Sequence, residues 1–553
     1  MARKLVANQD NTSTSSQTEP LTRAVARPIF GENVLAIDYN FAEKGILDDD
    51  ITFSRASGAT QTNSEGKICY APENGIKKSS QLNNWGKLGT DNTTITAATD
   101  ITDPLGGNGA FRVTTNQANA GGIYLDLNDQ VTKNNNTTVQ SIYIRSVSGN
   151  KTTHVITHHS SSKGLVTITE KWQRIVIPYD STLTAATNFY GVDFRDSATD
   201  ATDVYLFAPQ VSSSLTGEAV EYVPTTTAFV YKERFDYDKD GNSKGLLIEE
   251  ARTNLDANSF AVGSLNLSTS FAASNEIDPS GGTSSYKITP STGSGFHYQH
   301  RTYTVTDATV YTYSVYVKPD GIYKNLMMNA PSGNAAGNAG PIFNLETGQQ
   351  ESFLTADHPT TVTECGNGWY RISVQYTTSG TSLRIDHNIL PTSASSSYSG
   401  DGSSGMLFWG SQFEAGSFAT SLIPTYGATA SRSGDSAVVS STNFSRFHKD
   451  EKGGSWIVEA DDIGDQGSTS DQAAVIKVHE GGNTFLGLGK GFGGGTLNRP
   501  AVWYKDGVAG GDMIYNSNFG NSAQTIDKNA SYKLGVALDV DNAAWIMNGH
   551  NLG

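Results

Sequence analysis

Ser141-Ile-Tyr-Ile-Arg145 recurs as Ser314-Val-Tyr-Val-Lys318, and what surrounds the two copies decides the fold. Downstream of the first stands Trp172-Gln-Arg-Ile-Val-Ile177, and downstream of the second Trp369-Tyr-Arg-Ile-Ser-Val374. Leu206-Phe-Ala-Pro-Gln-Val211 then answers to Phe408-Trp-Gly-Ser-Gln-Phe413, and Tyr222-Val-Pro-Thr225 to Leu422-Ile-Pro-Thr425. Four matches in one order mark an internal duplication. Each segment alternates apolar and polar residues with the two-residue period of a half-buried strand. The later pairs lie farther apart than the first by about two dozen residues, which predicts an insertion in the second copy between Asn325 and Thr363.

The same alternation, in runs of roughly four to eight residues bounded by Gly, Asn, Asp and Ser, continues from Val34 onward, as at Tyr311 to Val317 and Trp456 to Ala460. Long helical periodicity does not occur. Such spacing predicts β-sandwiches or jelly rolls. A chain of 553 residues exceeds one hydrophobic core, so several domains are expected. In each copy Trp and Arg two residues apart share a sheet face; Trp172 and Trp369 are read as sandwich packing, with a sugar-stacking platform as the alternative.

A net charge of −16 argues against nucleic-acid and anionic-membrane partners, which select clustered Lys and Arg. No run reaches the roughly 20 apolar residues of a membrane span, and no secretion signal is read at the N-terminus, so synthesis in a cytoplasm is expected. Cys69 and Cys365 are read as buried thiols in different modules. Residues 1 to about 30 are polar, with Arg3, Lys4, Arg23 and Arg27 as the locally basic positions. Alone such a segment would be disordered; against a partner it could serve as a docking arm.

Three further stretches carry a family resemblance. Ile51-Thr-Phe-Ser-Arg-Ala-Ser57, Arg234-Phe-Asp-Tyr-Asp238 with Gly245-Leu-Leu-Ile-Glu-Glu-Ala-Arg-Thr-Asn-Leu255, and Phe408 through Thr425 resemble recurrent segments of bacteriophage tail-fibre and tail-tip proteins. Those proteins combine a short β linker, a carbohydrate-binding-module-like jelly roll and a concanavalin A-like or laminin-G-like sandwich. The resemblance implies an all-β chain of tandem jelly-roll sandwiches with an extended N-terminal docking arm. The domains expected are an arm at 1–40, a β linker at 41–80, a first jelly roll at 81–228, a second linker at 229–255, a second jelly roll at 256–430, and an incomplete concanavalin A-like sandwich at 431–553. The Arg-Ala-Ser and Phe-Asp-Tyr-Asp segments normally adjoin; here the first jelly roll lies between them, as an inserted duplicate would.

The function implied is that of a non-enzymatic virion protein, a tail fibre or receptor-binding protein contacting host surface glycans. It would form a homotrimer docked by its N-terminus to other virion proteins of the tail, portal or adaptor. A capsid-attached head fibre or decoration protein, and a depolymerase with a catalytic domain beyond residue 553, are the alternatives. Exposed aromatics on jelly-roll loops would stack on sugars; Tyr298, Tyr303 and Tyr398, with His297, are the candidates. Asp236, Asp238 and Asp240 have the acidic spacing of a calcium loop, but Leu247 stands where a bidentate Glu is needed, so a turn is the favoured reading and no cofactor is expected. His154, His158 and His159 are read as a solvated edge. Glu459 and Asp461 resemble a glucanase strand, whose second Glu is replaced by Gly464.

Overall fold

The computed structural model describes residues 2–9, 37–88, 93–117, 120–125, 138–156, 163–178, 190–195, 197–265, 268–331, 340–353, 358–392, 396–444, 454–461, 473–481, 484–493, 496–506, 531–539, 542–547 and 550–551. Among these, helix is confined to the short turns Phe41–Lys44, Leu82–Asn84 and Ser441–Phe444, and none is long and apolar enough to cross a membrane. Everything else that is regular is antiparallel sheet, so the fold is all-β and built of sandwiches. By contact the chain forms two units, one of Arg55–Thr60 and Cys69–Lys232, the other of Met1–Ser54, Gln61–Ile68 and Glu233–Gly553. Cys69 falls in the former and Cys365 in the latter.

The first unit holds module 1, two five-stranded sheets. Its front sheet runs Lys163–Ile168, Lys151–Ile156, Tyr190–Asp193, Gly122–Leu125, Gly86–Leu88. Its back sheet runs Gln173–Pro178, Thr138–Ser146, Asp203–Ser213, Phe111–Thr115, Thr93–Ala97. Alternate residues of both, including Val113, Ile123, Ile142, Ile144, Val192 and Leu206, close the core between them.

Module 2, in the second unit, repeats this order strand for strand. Its front sheet runs Gln349–Phe353, Pro341–Asn344, Asn325–Asn329, Ser382–Leu390, Tyr298–Thr304, Ser264–Leu265. Its back sheet runs Thr360–Glu364, Tyr370–Thr377, Val310–Asp320, Gly405–Ala415, Tyr286–Pro290, Thr269–Ala273. The two strands without a counterpart in module 1, Gln349–Phe353 and Thr360–Glu364, lie in the region where the widening offset places an insertion, and each extends one sheet at its edge.

The duplication reaches the hydrogen bonds. Arg174 donates to Ser141 Oγ (3.1 Å) and the Val220 carbonyl (2.7 Å) from over the Tyr143 ring; Arg371 donates to Ser314 Oγ (3.0 Å) and the Thr420 carbonyl (2.7 Å) from over Tyr316. Trp172 Nε1 donates to the Thr102 carbonyl and Trp369 Nε1 to that of Ile277, at 3.0 and 2.8 Å. Both tryptophans therefore pack against a loop on the back sheet; neither is a sugar platform on the front sheet. Each module is closed by the same polar clasp. Asn74 Nδ2 donates to the carbonyls of Pro209 and Val223, as Asn254 Nδ2 does to those of Ser411 and Ile423. Ser79 with Thr225, and Ser259 with Thr425, join hydroxyls at 2.8 Å beside it. Entry and exit strands thus meet at one end of each sandwich, where amides satisfy backbone groups that no ladder reaches.

The third region contributes Gly454–Asp461, Ser531–Asp539, Asn542–Met547 and His550–Asn551 to an eight-stranded sheet, beside a separate three-stranded sheet of Ala473–Gly481, Thr484–Gly493 and Thr496–Asp506. The eight-stranded sheet also takes Ile37–Asn40, the hairpin strands Phe235–Tyr237 and Ser243–Leu246, and the N-terminal strand Ala2–Gln9. Of the expected docking arm at 1–40, residues 2–9 and 37–40 are described, and both stretches are strand. Ala2–Gln9 pairs along its length with Gly454–Asp461 and, through Lys4 to Ala7, with Ile37–Asn40; its Leu5-Val6-Ala7 centre is competent for strand. Arg3 and Lys4 lie on that strand, whereas Arg23 and Arg27 lie outside the described residues, as do His158 and His159.

Candidate functional site

The front sheet of module 2 has an inner face of Leu326, Met328, Phe343, Leu383, Ile385 and Ile389, all core. Alternation therefore turns the residues between them to the outer face. Cross-strand register sets those residues in rows: Tyr298 opposite Asn388, Asn388 opposite Met327, and Met327 opposite Ile342. Beside that row, His300 stands opposite Asp386 and Asp386 opposite Asn329; on the far side Leu390 stands opposite Asn325.

Much of this face is recessed. Asn388 is 4% exposed and Asn325 7%, and Met327, Ile342 and Leu390 form a small buried apolar cluster of their own. Arg384 lays its guanidinium on Asp386, Nε to Oδ1 at 2.6 Å and a terminal nitrogen to Oδ2 at 3.2 Å, and lies over the Tyr298 ring. Burial pushes the Asp386 carboxyl up, against the pull of Arg384 and His300. Burial and the Arg384 charge push the His300 imidazole down. Among the described residues, four buried polar atoms of this face have no hydrogen-bond partner: Asn325 Oδ1, Asn329 Oδ1, Asn388 Nδ2 and His300 Nδ1. Leaving such groups unmet costs about 1–3 kcal/mol each, so an outer face that buries four of them is energetically unusual for a strand surface.

Module 1 carries a sparser version. Tyr124, His154 and Asp193 face outward on its front sheet, with His154 opposite Asp193 and Arg195 bidentate on the Asp193 carboxylate at 2.9 and 3.0 Å. An acid held by an arginine two residues away thus recurs on the corresponding strand of both copies.

Of the sugar-contact candidates, only Tyr298 stands on this outer face. Tyr303 is a core residue, its ring stacked 4.1 Å from Phe413 and its hydroxyl donating to Asp256 Oδ2 at 3.2 Å. His297 is 1% exposed, with both ring nitrogens on backbone carbonyls, those of Ser268 and Tyr398. Tyr398 packs on the core and donates to the Ile389 carbonyl at 2.8 Å. These three are corrected from exposed loop aromatics to internal groups, because the segment reads into the sandwich rather than over it.

The Asp236, Asp238 and Asp240 carboxylates do not converge. Asp236 accepts from the Thr62 N–H at 2.8 Å, Asp238 caps its own turn through the N–H groups of Asp240 and Asn242, and Asp240 meets Lys239. Among the described residues no three His, Cys, Asp or Glu side chains form a metal-binding group. Glu459 pairs with Lys533 across neighbouring strands at 3.2 Å.

The residues that the sequence did not single out are Asn325, Asn329, Asn388, Arg384 and Asp386. Their signal was the period-two interleaving of Asn325, Met327 and Asn329 with Leu326 and Met328, which any solvated strand face shares.

No protein-family profile and no characterised protein sequence matches the chain. Solved structures that it resembles include the tandem CBM22-1 and CBM22-2 domains from the N-terminus of Paenibacillus barcinonensis Xyn10C, 13% identical, covering 66% of this chain and 100% of that one, with a TM-score of 0.23. Vicilin from the hazelnut Corylus avellana is 11% identical over 57% of this chain and 86% of that one, with a TM-score of 0.11. Neither score carries an argument, and the all-β assignment rests on the sheets themselves.

Proposed function

We propose that this chain is a bacteriophage virion protein of tail-fibre type that contacts host surface glycans without cleaving them, chiefly through the outer front face of module 2. The observation that carries the glycan part is the outward-facing, half-buried Tyr298 ring beside the Arg384–Asp386 pair on the front sheet of module 2. Sugar C–H faces stack on such a ring, and hydroxyl groups meet the charged pair beside it. The virion part is supported by the Arg-Ala-Ser, Phe-Asp-Tyr-Asp and Phe408 to Thr425 segments, and the homotrimer by the same resemblance. Weak contacts repeated over three chains would gain strength by multivalency. The non-enzymatic reading is supported by Gly464, which stands where the glucanase strand carries its second Glu, and by Glu459, which pairs with Lys533 at 3.2 Å.

Labelling phage particles with antibody to this chain is expected to mark the tail tip. Label on the capsid would transfer the reading to a head fibre, and unlabelled particles would remove the virion role. Incubating the chain with host polysaccharide should leave its length unchanged; shortened products would establish a depolymerase.

A further inference from the structure

We infer that Thr269–Ala273, the outermost strand of the back sheet of module 2, is a seam at which a second copy of this chain pairs, antiparallel and edge to edge. The inference does not depend on the glycan-contact reading above.

An unpaired strand edge is a template for further sheet, and proteins blunt most such edges with charge, proline or brevity. In module 2, Gln349–Phe353 and Thr360–Glu364 carry Glu351 and Glu364, and Ser264–Leu265 spans only two residues. In module 1, Lys87, Lys163 and Arg174 stand on three of the four edges. The fourth, Thr93–Ala97, is uncharged, but Thr93 is 4% exposed and donates its hydroxyl to the Leu88 carbonyl at 2.9 Å. Thr269-Ser-Phe-Ala-Ala273 has neither charge nor proline, its last four residues are exposed, and Phe271 is 56% exposed. Among the described residues no strand pairs with its outer side. In a chain of net charge −16, an uncharged edge is a place where like copies approach without repulsion.

The phase of the ladder makes the strand complementary to itself. The Ser291 N–H donates to the Ser268 carbonyl and the Ser274 N–H to that of Ser285, so the bonded pairs of this ladder fall on the even-numbered residues of the outer strand. Phe271 and Ala273 therefore direct their N–H and C=O groups away from the sheet. Turned end for end, a second copy of the strand meets the first in the same phase. Phe271 stands opposite its own twin and exchanges both bonds with it, and Ala273 falls opposite Thr269 on either side. Phe271 is also the register partner of Ile288, a core residue, so its ring lies on the core side of the sheet, at the margin of the sandwich. Across the seam the two rings cover each other as a cross-strand aromatic pair. Such a contact is isologous, the same surface on both copies, and yields even numbers of chains: a dimer, or two trimers joined where a threefold association exists elsewhere.

Cysteine pairs read the register. In the twofold seam Ser270 stands opposite Ala272 of the second copy as a non-hydrogen-bonded pair, with the Cα spacing of about 4.5 Å that a disulfide spans. Ser270→Cys/Ala272→Cys, oxidised in dilute solution, should give a reducible species of twice the chain mass on a denaturing gel. Each single variant, and the parent chain with its Cys69 and Cys365 thiols, should not. Mass photometry of the parent is expected to show an even number of chains, and Phe271→Lys should halve it. Ala273→Lys, at another exposed position, gives the same reading should Phe271→Lys unfold. A parent of one or three chains, a double variant that does not cross-link, or single variants that cross-link as readily as the double would overturn the seam. A particle mass unchanged in both lysine variants would overturn it too.

Discussion

Ala208 and Gly410 occupy one bulge in two copies. At each the long back strand slips register against its neighbour, between Ser141 and Tyr143 in module 1 and between Ser314 and Tyr316 in module 2. The backbone there is left-handed, with φ of 52° at Ala208 and 61° at Gly410. An L side chain in that region costs about 1–2 kcal/mol, partly offset when glycine replaces it by the greater freedom glycine has unfolded. Ala208→Gly is therefore expected to stabilise module 1 by about 0.5–1 kcal/mol. Gly410→Ala should destabilise module 2 by more, because its new Cβ would stand 2.9 Å from the Tyr316 ring. Urea midpoints of the two variants against the parent chain check the opposite signs; a loss of stability in Ala208→Gly would show that module 1 has adapted its bulge to alanine.

At the scale of elements, the linker segments are locked to module 2 by a buried ionic cluster. Arg234 and Arg432 both reach Glu249 Oε2 at 2.7 Å and share Ser421 Oγ, Arg234 also pairs with Asp435, and Glu249 accepts the Ser421 N–H at 2.8 Å. Burial alone would raise the Glu249 carboxyl, but Arg234 and Arg432 outweigh it and hold it down to about 2. In the front sheet, His387 lies between Tyr313 and Phe408, where burial first, then the charges of Arg301 and His300, hold its imidazole down to about 3. Both groups take up protons more readily in the unfolded chain, so both make stability rise with pH. The His387 share is complete above about pH 6.5 and is lost as pH falls toward about 3; the Glu249 share is complete above about 4.5 and is lost as pH falls through about 2. The melting temperature should decline below pH 6.5 and more steeply below 4.5, and His387→Phe should flatten the first part. A decline in that variant unchanged from the parent would assign the first part elsewhere.

The same elements show what was legible beforehand. Strand matches and the insertion could be read because apolar alternation survives divergence. The clasp could not, since Asn74 and Asn254 look like ordinary turn residues until the carbonyls they meet are in place. Tyr298 and Tyr303 were grouped as one loop surface. On a strand, residues five apart face opposite ways, and that parity alone separates the outer Tyr298 from the core Tyr303. The recessed asparagines were illegible for a different reason: burial of an outer face depends on what lies over it, which period-two patterning does not encode.

For the whole molecule, the first unit has the character of a cassette. Val230–Tyr231 pairs with Glu73–Asn74, the Lys232 N–H donates to the Pro72 carbonyl at 2.9 Å, and Arg55 donates to the Lys232 carbonyl at 2.8 Å. Within the second unit, Gln61 and Thr62 are already bonded to Phe235 and Asp236. Excising residues 73–231 and joining Pro72 to Lys232 through a short Gly link should leave module 2 folded, with its acid-sensitive melting intact. Loss of that transition would show that module 2 depends on module 1 for its stability.

That closure at the mouth of module 1 bears on what duplication achieves. A rod grows when each added segment carries the polypeptide forward; a segment whose first and last strands are hydrogen-bonded neighbours returns it to where it started. Copying such a module therefore adds folded surface to the chain without drawing apart the two segments that flank it.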